Sequence, residues 1–280
     1  MQPGADDWLA ACRRAVDKVR VMLDDRPTTA ERVKETGTRG EGGDRTLLID
    51  EAAEDIVFAE LQGLHDAGAR FTAISEERGL VDFGSPDVRV VIDPIDGSVN
   101  AKRGLPHFAL SVAVAHGQTM ADVVFGFVRD FGPEEEWVAR RGGGAELDGV
   151  SLDRGLEERR TRDGKLEVVG VESAEPEWSL PALEVLAGKV FRLRVVGAIA
   201  ISGAYVAAGR FDAMLSLRSC RSVDAAAAQL IVREAGGAVS FGSGELSEAL
   251  LDLESRYPMA AANSEDGLAT MRSAQLAKTA

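Results

Sequence analysis

VVIDPIDGSVN, running from Val90 to Asn100, joins an apolar run typical of a buried strand to a turn that carries two carboxylates. Asp93 and Asp96 supply the oxygen ligands that Mg²⁺ prefers in proteins. Pro94 lies between them, and its fixed φ stiffens the turn that aims both side chains. The stretch therefore predicts a site for hard divalent cations at the end of a strand.

Gly97 and Ser98 follow at once and are expected to open a helix. The free N–H groups and the positive dipole end of such a helix can receive an anion, which predicts a metal-dependent phosphate site. Taken singly, these residues also fit ordinary turns and helix caps. Together, DPIDGS after a β-like run resembles the signature of the inositol monophosphatase and fructose-1,6-bisphosphatase superfamily, the lithium-sensitive, Mg²⁺-dependent phosphatases.

Three further segments resemble motifs of that superfamily and occur in its order. LLIDEAAEDIVFAEL resembles a helix with an acid near its start, FTAISEERG resembles the Glu-Glu element, and RSVDAAAAQLIVREAGGAVS resembles the C-terminal motif. The matching acids in these segments are Asp50, Glu76 with Glu77 beside it, and Asp224. An acid at a helix start is often only a cap, but four motifs in order indicate membership, closest to the bacterial and archaeal branch.

The resemblance implies an α+β protein with the layered α-β-α-β-α sugar-phosphatase fold and a metal site between two halves. We expect an N-terminal subdomain over residues 1–152 and a C-terminal one over residues 153–280. The polar stretch from Asp153 to Lys165 is the predicted boundary between them.

The resemblance also implies two to three Mg²⁺ ions in each site. One ion would be held by Glu76, Asp93 and the backbone carbonyl of Ile95. A second would be held by Asp93, Asp96 and Asp224, and a third, weaker one by Glu76 and waters. Paired metals of this kind clamp a phosphate and activate a bound water.

The catalytic roles carried over from the family fall on Asp50, Ser98 and Glu76. Ser98, hydrogen-bonded to Asp50, would orient or deprotonate the attacking water. Gly97 and Ser98 would bind the phosphate group. The family usually has Thr where this chain has Ser98, and both residues provide a hydroxyl.

The substrate implied is a small phosphorylated metabolite, inositol monophosphate or a related sugar or polyol phosphate. Leu217 stands where animal inositol monophosphatases have a Glu that reads the inositol hydroxyls, so that acid is missing. Arg218 and Arg221 are candidates for contacts to a second phosphate or, equally, for surface ion pairs. Fructose 1,6-bisphosphate, a nucleotide 3'-phosphate and histidinol phosphate stay open as substrates, and a non-catalytic metal-binding regulator of the same fold stays open as a function.

Composition limits the partners. The chain has 280 residues, a formal net charge of −14 and a pI near 4.8, which argue against nucleic acid or an anionic membrane as partner. The N-terminus reads MQPGADDW and is not typical of a signal peptide. Cys12 and Cys220 are too few for a disulfide framework, so a cytoplasmic protein is expected. The resemblance adds a homodimer.

Periodicity predicts helices over residues 6–23 and 50–64, and strands over 88–92, 108–115, 122–128 and 136–139. In the second half it predicts strands over 166–170 and 192–196, and helices near 178–186, 200–208 and 224–235. The charged, Gly-bearing segment from Thr36 to Asp44 is predicted to be a mobile loop.

Overall fold

The computed structural model describes residues 2–39, 41, 45–153, 155–242 and 244–277. Its helices are α1 (Ala5–Asp24), α2 (Thr29–Arg32), α3 (Leu48–Asp66), α4 (Ser98–Arg103), α5 (Pro176–Leu186), α6 (Ile199–Ala207), α7 (Ser222–Glu234) and α8 (Glu265–Leu276). Its strands are β1 (Glu35–Arg39), β2 (Arg45–Leu47), β3 (Thr72–Ser75), β4 (Gly79–Asp82), β5 (Arg89–Asp96), β6 (Ala109–Ala115), β7 (Val123–Asp130), β8 (Glu136–Arg140), β9 (Gly144–Leu147), β10 (Val150–Ser151), β11 (Leu166–Glu172), β12 (Val190–Arg194), β13 (Ala213–Ser216), β14 (Ala238–Phe241) and β15 (Met259–Ala262).

These elements stack in five layers. Helices α1 and α3 cover one face of an eight-stranded sheet, whose strand order is β10-β9-β8-β7-β6-β5-β3-β4. Helices α6 and α7 lie between it and a five-stranded sheet of order β12-β11-β13-β15-β14. Helices α5 and α8 cover the outer face of that second sheet. The expected layered α-β-α-β-α fold is therefore confirmed.

The central helix layer packs closely because its residues are small. Ala225, Ala226, Ala227 and Ala228 of α7 are fully buried. A Cβ atom on Gly126 of β7 would come within 2.8 Å of the Ala227 carbonyl oxygen, so the sheet and the helix backbone are nearly in contact. This close approach holds the start of α7, and hence Asp224, against the first sheet.

The two sheets draw on different parts of the chain. All strands of the large sheet lie between Thr72 and Ser151, and all strands of the small sheet lie between Leu166 and Ala262. We propose that the subdomain boundary stays at residues 152 and 153, since the segment that follows contains no named helix or strand until Leu166 among its described residues. The α6–α7 layer then joins the two subdomains, because its helices contact both sheets.

Most predicted elements are confirmed within a few residues, including the long helices α1 and α3 and the strands β5 to β8. The prediction of a mobile loop over residues 36–44 is wrong in part. Strand β1 pairs antiparallel with β2, and the two strands form a hairpin. Residues 40 and 42–44 of that prediction lie outside the described residues. Among the helices that are described, none is both long enough and apolar enough to cross a membrane.

Candidate functional site

The carboxylates of Asp93 and Asp96 are brought together by an irregularity in β5. Side chains three residues apart on a regular strand point to opposite faces. Here Asp93 pairs with Ser111 of β6 and Asp96 pairs with Ala109, so β5 has one residue more than its partner between the two pairs. This bulge lies at Pro94, which has no N–H for the ladder. It turns the two acids toward the same region.

Both acids are buried and held by backbone donors. Asp93 is 4% exposed, and its Oδ1 accepts a hydrogen bond from the backbone N–H of Ile95 at 3.0 Å. Asp96 accepts from the first turn of α6, where Ala200 donates to Oδ2 at 2.8 Å and Ile199 donates to Oδ1 at 3.3 Å. The positive end of α6 therefore stabilises the charge of Asp96.

Glu76 projects from the turn between β3 and β4, and this turn is fixed to α3. Glu54 of α3 is 1% exposed and accepts hydrogen bonds from the Ser75 hydroxyl and, at 3.2 Å, from the backbone N–H of Arg78. The Arg78 side chain adds an ion pair to Glu54 at 3.3 Å. The turn that carries Glu76 and Glu77 is thus tied to the helix that carries Asp50.

The second subdomain contributes the start of α7. Asp224 lies in the first turn, where its Oδ2 accepts a hydrogen bond from the backbone N–H of Arg221 at 2.8 Å. The Arg221 guanidinium is 2.5 Å from Oε1 of Glu76 and 3.6 Å from Oδ1 of Asp224. The sequence left Arg221 open between a contact to a second phosphate and a surface ion pair. Its side chain is only 12% exposed and lies among the carboxylates.

A cavity of about 380 Å³ opens over this region. Its lining includes Asp50, Glu76, Asp93, Ile95 and Ser98 of the predicted site, and also Glu35, Glu77, Lys102 and Arg221. Glu35 was not among the predicted site residues, and it lies directly before the segment that was predicted to be a mobile loop. Asp96 and Asp224 are not part of this lining, although Arg221, which is part of it, contacts Asp224.

Gly97 forms the corner between β5 and α4. Its φ is +85°, and a Cβ atom there would lie 3.1 Å from the carbonyl oxygens of Gly197 and His107. Only glycine tolerates both the positive φ and this close approach, so steric constraints require a glycine at position 97. Ser98 is the first residue of α4, which has six residues. The N–H groups of Ser98 and Val99 therefore belong to the unpaired first turn that can donate to an anion.

Asp50 differs from its expected arrangement. Its Oδ1 is buried without a hydrogen-bond partner among the described residues, so the hydrogen bond expected from Ser98 is not formed. α3 already begins at Leu48, which places Asp50 inside the first turn rather than at the helix cap. Both side chains line the same cavity.

Burial and the repulsion between neighbouring carboxylates raise the pKa values of Asp50, Glu76 and Asp93. Burial, followed by the charges of Glu77 and Glu76, raises the pKa of Asp50 to about 7. Burial also raises the pKa of Glu76 to about 7, against the opposing charge of Arg221. Burial and the charges of Glu76, Asp96 and Asp224 hold the pKa of Asp93 well above its usual range. The site therefore favours any cation that can enter it.

The donor set fits a hard divalent ion by chemistry, since it consists of carboxylate and carbonyl oxygens. In the part of the chain that is described, no three Asp, Glu, His or Cys side chains already form a ready-made ion site. The acids of the predicted site already have other partners. Asp93 and Asp96 accept from backbone N–H groups, while Glu76 and Asp224 pair with Arg221.

Arg218 lies apart from the cluster. Its guanidinium is 2.8 Å from Oε1 of Glu175, and the two side chains are 57% and 55% exposed, which makes this a surface ion pair. Leu217, beside it, is 2% exposed and presents no polar side chain. Of the two arginines named from the sequence, the structure brings only Arg221 to the acids.

The raised pKa values predict how stability depends on pH when metal is chelated. Burial also raises the pKa of Glu172, the last residue of β11, to about 7. Asp50, Glu76 and Glu172 thus each have a pKa of about 7 in the folded protein, above the ordinary carboxylate range, so the folded state binds more protons than the unfolded state. Their contribution is complete at low pH and is lost as pH rises through 7, so we expect Tm in excess chelator to fall between about pH 5 and pH 8. Thermal unfolding measured across that range checks this.

The fall should be smaller in Asp50→Asn, because the amide does not titrate. A Tm that rises over the same range, or an Asp50→Asn variant with the same dependence as the wild type, would contradict the assignment of these pKa values.

The chain was compared with known proteins. It matches the model of the inositol monophosphatase family over residues 6–277. It is 36% identical over 238 residues to a protein of Thermococcus kodakarensis named fructose-1,6-bisphosphatase/inositol-1-monophosphatase, covering 82% of each chain. It is 37% identical over 197 residues to the Escherichia coli protein named Nus factor SuhB, covering 69% of this chain and 70% of that one.

Solved structures show the same fold. A crystal structure described as an inositol monophosphatase–fructose 1,6-bisphosphatase superposes with a TM-score of 0.80 at 27% sequence identity, covering 95% of this chain and 99% of the other. The five-layer arrangement described above is therefore that of these proteins.

Proposed function

We propose that this chain, which belongs to the inositol monophosphatase family, is a Mg²⁺-dependent phosphomonoesterase that hydrolyses inositol monophosphate or a related small sugar or polyol phosphate. Family membership supports a phosphatase that acts on sugar phosphates. The observation that carries the finer proposal is one cavity of about 380 Å³ faced by Asp50, Glu76, Asp93 and Ser98.

The acids fit divalent metal ions. The proposed ligands are Glu76, Asp93 and the Ile95 carbonyl for one ion, Asp93, Asp96 and Asp224 for a second, and Glu76 for a weaker third. When bound, such ions neutralise phosphate oxygens and lower the pKa of a water. The buried, unpartnered Oδ1 of Asp50 and the raised pKa of Asp93 support the fit, because both belong to carboxyl groups whose ionised form needs a cation for stabilisation.

Side chains and backbone groups of this chain would accept the proton of the attacking water and orient the reactants. Asp50 has a pKa of about 7 and an oxygen without a donor, so it can accept a proton from water at neutral pH. We propose that a water hydrogen-bonded to both Ser98 and Asp50 is the nucleophile, since both side chains line one cavity and Oδ1 of Asp50 has no hydrogen-bond partner among the described residues. The free N–H groups at Ser98 and Val99 would hold the phosphate.

The substrate class follows from the site and from the relatives. Proteins 34% and 36% identical to this chain are named for both fructose 1,6-bisphosphate and inositol 1-phosphate hydrolysis, so fructose 1,6-bisphosphate stays the first alternative substrate. A nucleotide 3'-phosphate and histidinol phosphate stay further alternatives. The homodimer, the cytoplasmic location and lithium sensitivity also stay predictions.

A second candidate function is a regulator that keeps the fold without turnover. One observation favours it, the 37% identity to a protein named as a Nus factor. Against it, every acidic position taken from the family motifs and the Ser98 hydroxyl are present. A protein without catalysis would not need this combination.

Phosphate release separates these functions. We expect the full chain to release phosphate from inositol monophosphate or another member of a panel of sugar phosphates when Mg²⁺ is present. We expect no release in excess chelator, and less in Li⁺ than in Na⁺. The panel should contain fructose 1,6-bisphosphate, a nucleoside 3'-phosphate and histidinol phosphate. Turnover that persists in chelator would reject the metal, and no turnover on any substrate would favour the regulator.

A further inference from the structure

We infer that Arg221 is a built-in cation that competes with divalent ions for Glu76 and Asp224, so that displacing its guanidinium sets the metal affinity of this chain. The inference rests on the proposed function, because it takes a divalent ion to be the cofactor. It goes beyond that function because it makes Arg221 a competitor of the metal ion and not one of its ligands.

The contacts place the guanidinium on the oxygens that a metal would use. Its Nη1 is 2.5 Å from Oε1 of Glu76, and its Nη2 is 3.6 Å from Oδ1 of Asp224. The exposed fractions of the three side chains are 12%, 17% and 13%, so bulk water screens these contacts little. One guanidinium therefore bridges an acid of the first subdomain and an acid of the second.

The charge of the cluster explains why an arginine is stable there. Glu76, Asp93, Asp96 and Asp224 bring four carboxyl groups to one region, and burial penalises the ionised forms of Glu76, Asp93 and Asp96. Burial alone would lower the pKa of Arg221, but the charges of Asp224, Glu76 and Asp93 outweigh it and raise that pKa. The guanidinium is thus always charged at working pH and partly neutralises the acids.

The backbone of Arg221 is held by a contact separate from those of its side chain. Its backbone N–H is bound to Oδ2 of Asp224 and fixes the start of α7 independently of the side chain. The side chain is long and has many rotamers. A divalent ion gains more from shared carboxylates than one guanidinium does, but it must first break the ion pair to Glu76. The net affinity of the site for the divalent ion is therefore reduced by the free energy of that ion pair.

Arg218 offers a matched control. It lies three residues before Arg221, has the same charge, and pairs with Glu175 at the surface instead of with the cluster. Replacing either arginine by Gln changes the net charge equally. Only Arg221→Gln removes a competitor from the proposed metal ligands.

The test is a calorimetric titration of Mg²⁺, repeated with Mn²⁺, into the chelator-treated full chain, together with Tm in chelator and at saturating metal. We expect Arg221→Gln to bind the metal about tenfold or more tightly than the wild type, the effect of removing one charge-assisted bond. We also expect a lower Tm in chelator and a larger rise of Tm on adding metal. Arg218→Gln should match the wild type in all three.

Arg221→Lys keeps the charge but loses the fork that reaches both acids. It should tighten metal binding less than Arg221→Gln does. If Arg221→Gln does not fold, the lysine variant decides alone, and an affinity equal to that of the wild type overturns the inference.

Other results would also overturn it. Metal affinity that is unchanged or weaker in Arg221→Gln, with weaker binding of inorganic phosphate, would make Arg221 an anion-binding residue. If the wild type binds Mg²⁺ and releases phosphate but Arg221→Gln binds no tighter, only this inference fails. If the wild type binds no divalent ion at all, the proposed function fails with it.

Discussion

Replacing Asp93 by Asn is expected to lower both turnover and metal affinity by more than about 100-fold, since even residues that only support metal ligands contribute roughly 10- to 100-fold. Asp93 is the acid assigned to two ions at once, so a neutral amide leaves both without their shared charge. The substitution preserves shape. The amide oxygen of Asn can still accept the hydrogen bond that Ile95 donates to Oδ1 of Asp93 at 3.0 Å.

The two losses should occur together and without unfolding. Because burial and neighbouring acids hold the pKa of Asp93 well above its usual range, its charge is unfavourable in the folded chain. We therefore expect Tm of Asp93→Asn in chelator to equal or exceed that of the wild type. Metal titration, phosphate release and thermal unfolding of one preparation provide the three readouts.

Asp87→Asn is the matched control, because Asp87 is exposed in the loop before β5. It should behave as the wild type. Metal affinity or turnover of Asp93→Asn within about tenfold of the wild type would remove Asp93 from the proposed centre, because an outer-shell residue alone can account for that much.

Removing the hydroxyl of Ser98 is expected to separate chemistry from binding. Ser98→Ala should keep the metal affinity of the wild type and lose turnover by roughly 10²-fold or more, the contribution of positioned proton transfer. The reason is that Ser98 faces the cavity beside Asp50 but supplies no carboxylate to an ion. Initial rates at saturating substrate, compared with a metal titration, measure the two effects separately.

Ser98→Thr is the conservative partner of that variant. Threonine keeps the hydroxyl and adds a methyl group, so turnover should stay near that of the wild type. If Ser98→Ala also turns over normally, the residue only begins α4, and the proposed water must be held by other groups.

Part of the region around the candidate site was readable from the sequence. Asp93 and Asp96 could be read as one unit because a rigid proline lies between two acids that follow an apolar run, although the bulge that the structure has there was not predicted. The helices α1 and α3 were readable from their apolar periodicity. The motif order placed Glu76 and Asp224 on separate elements, which long-range packing then brings to one guanidinium.

Other features were not readable, for physical reasons. The strands β13 and β15 are four residues each, AMLS and MAAA, fully buried and rich in alanine, so they show no alternation and little strand propensity. β1 lies in a polar, glycine-containing segment and forms only by pairing with β2. The position of Arg221 depends on the charge of Asp224 in its own helix and on those of Glu76 and Asp93 elsewhere in the chain, and no local pattern encodes it.

We propose that Glu76, Asp93, Asp96 and Asp224 form the metal centre of a phosphatase. Anomalous diffraction from crystals of the full chain grown with Mn²⁺ would locate the ions themselves. We expect anomalous peaks at coordination distance from Asp93, shared with Asp96 and Asp224 on one side and with Glu76 on the other, and the Arg221 guanidinium turned away from Glu76. Peaks confined to other acids, or a cluster without any peak in crystals of an enzyme active with Mn²⁺, would contradict it.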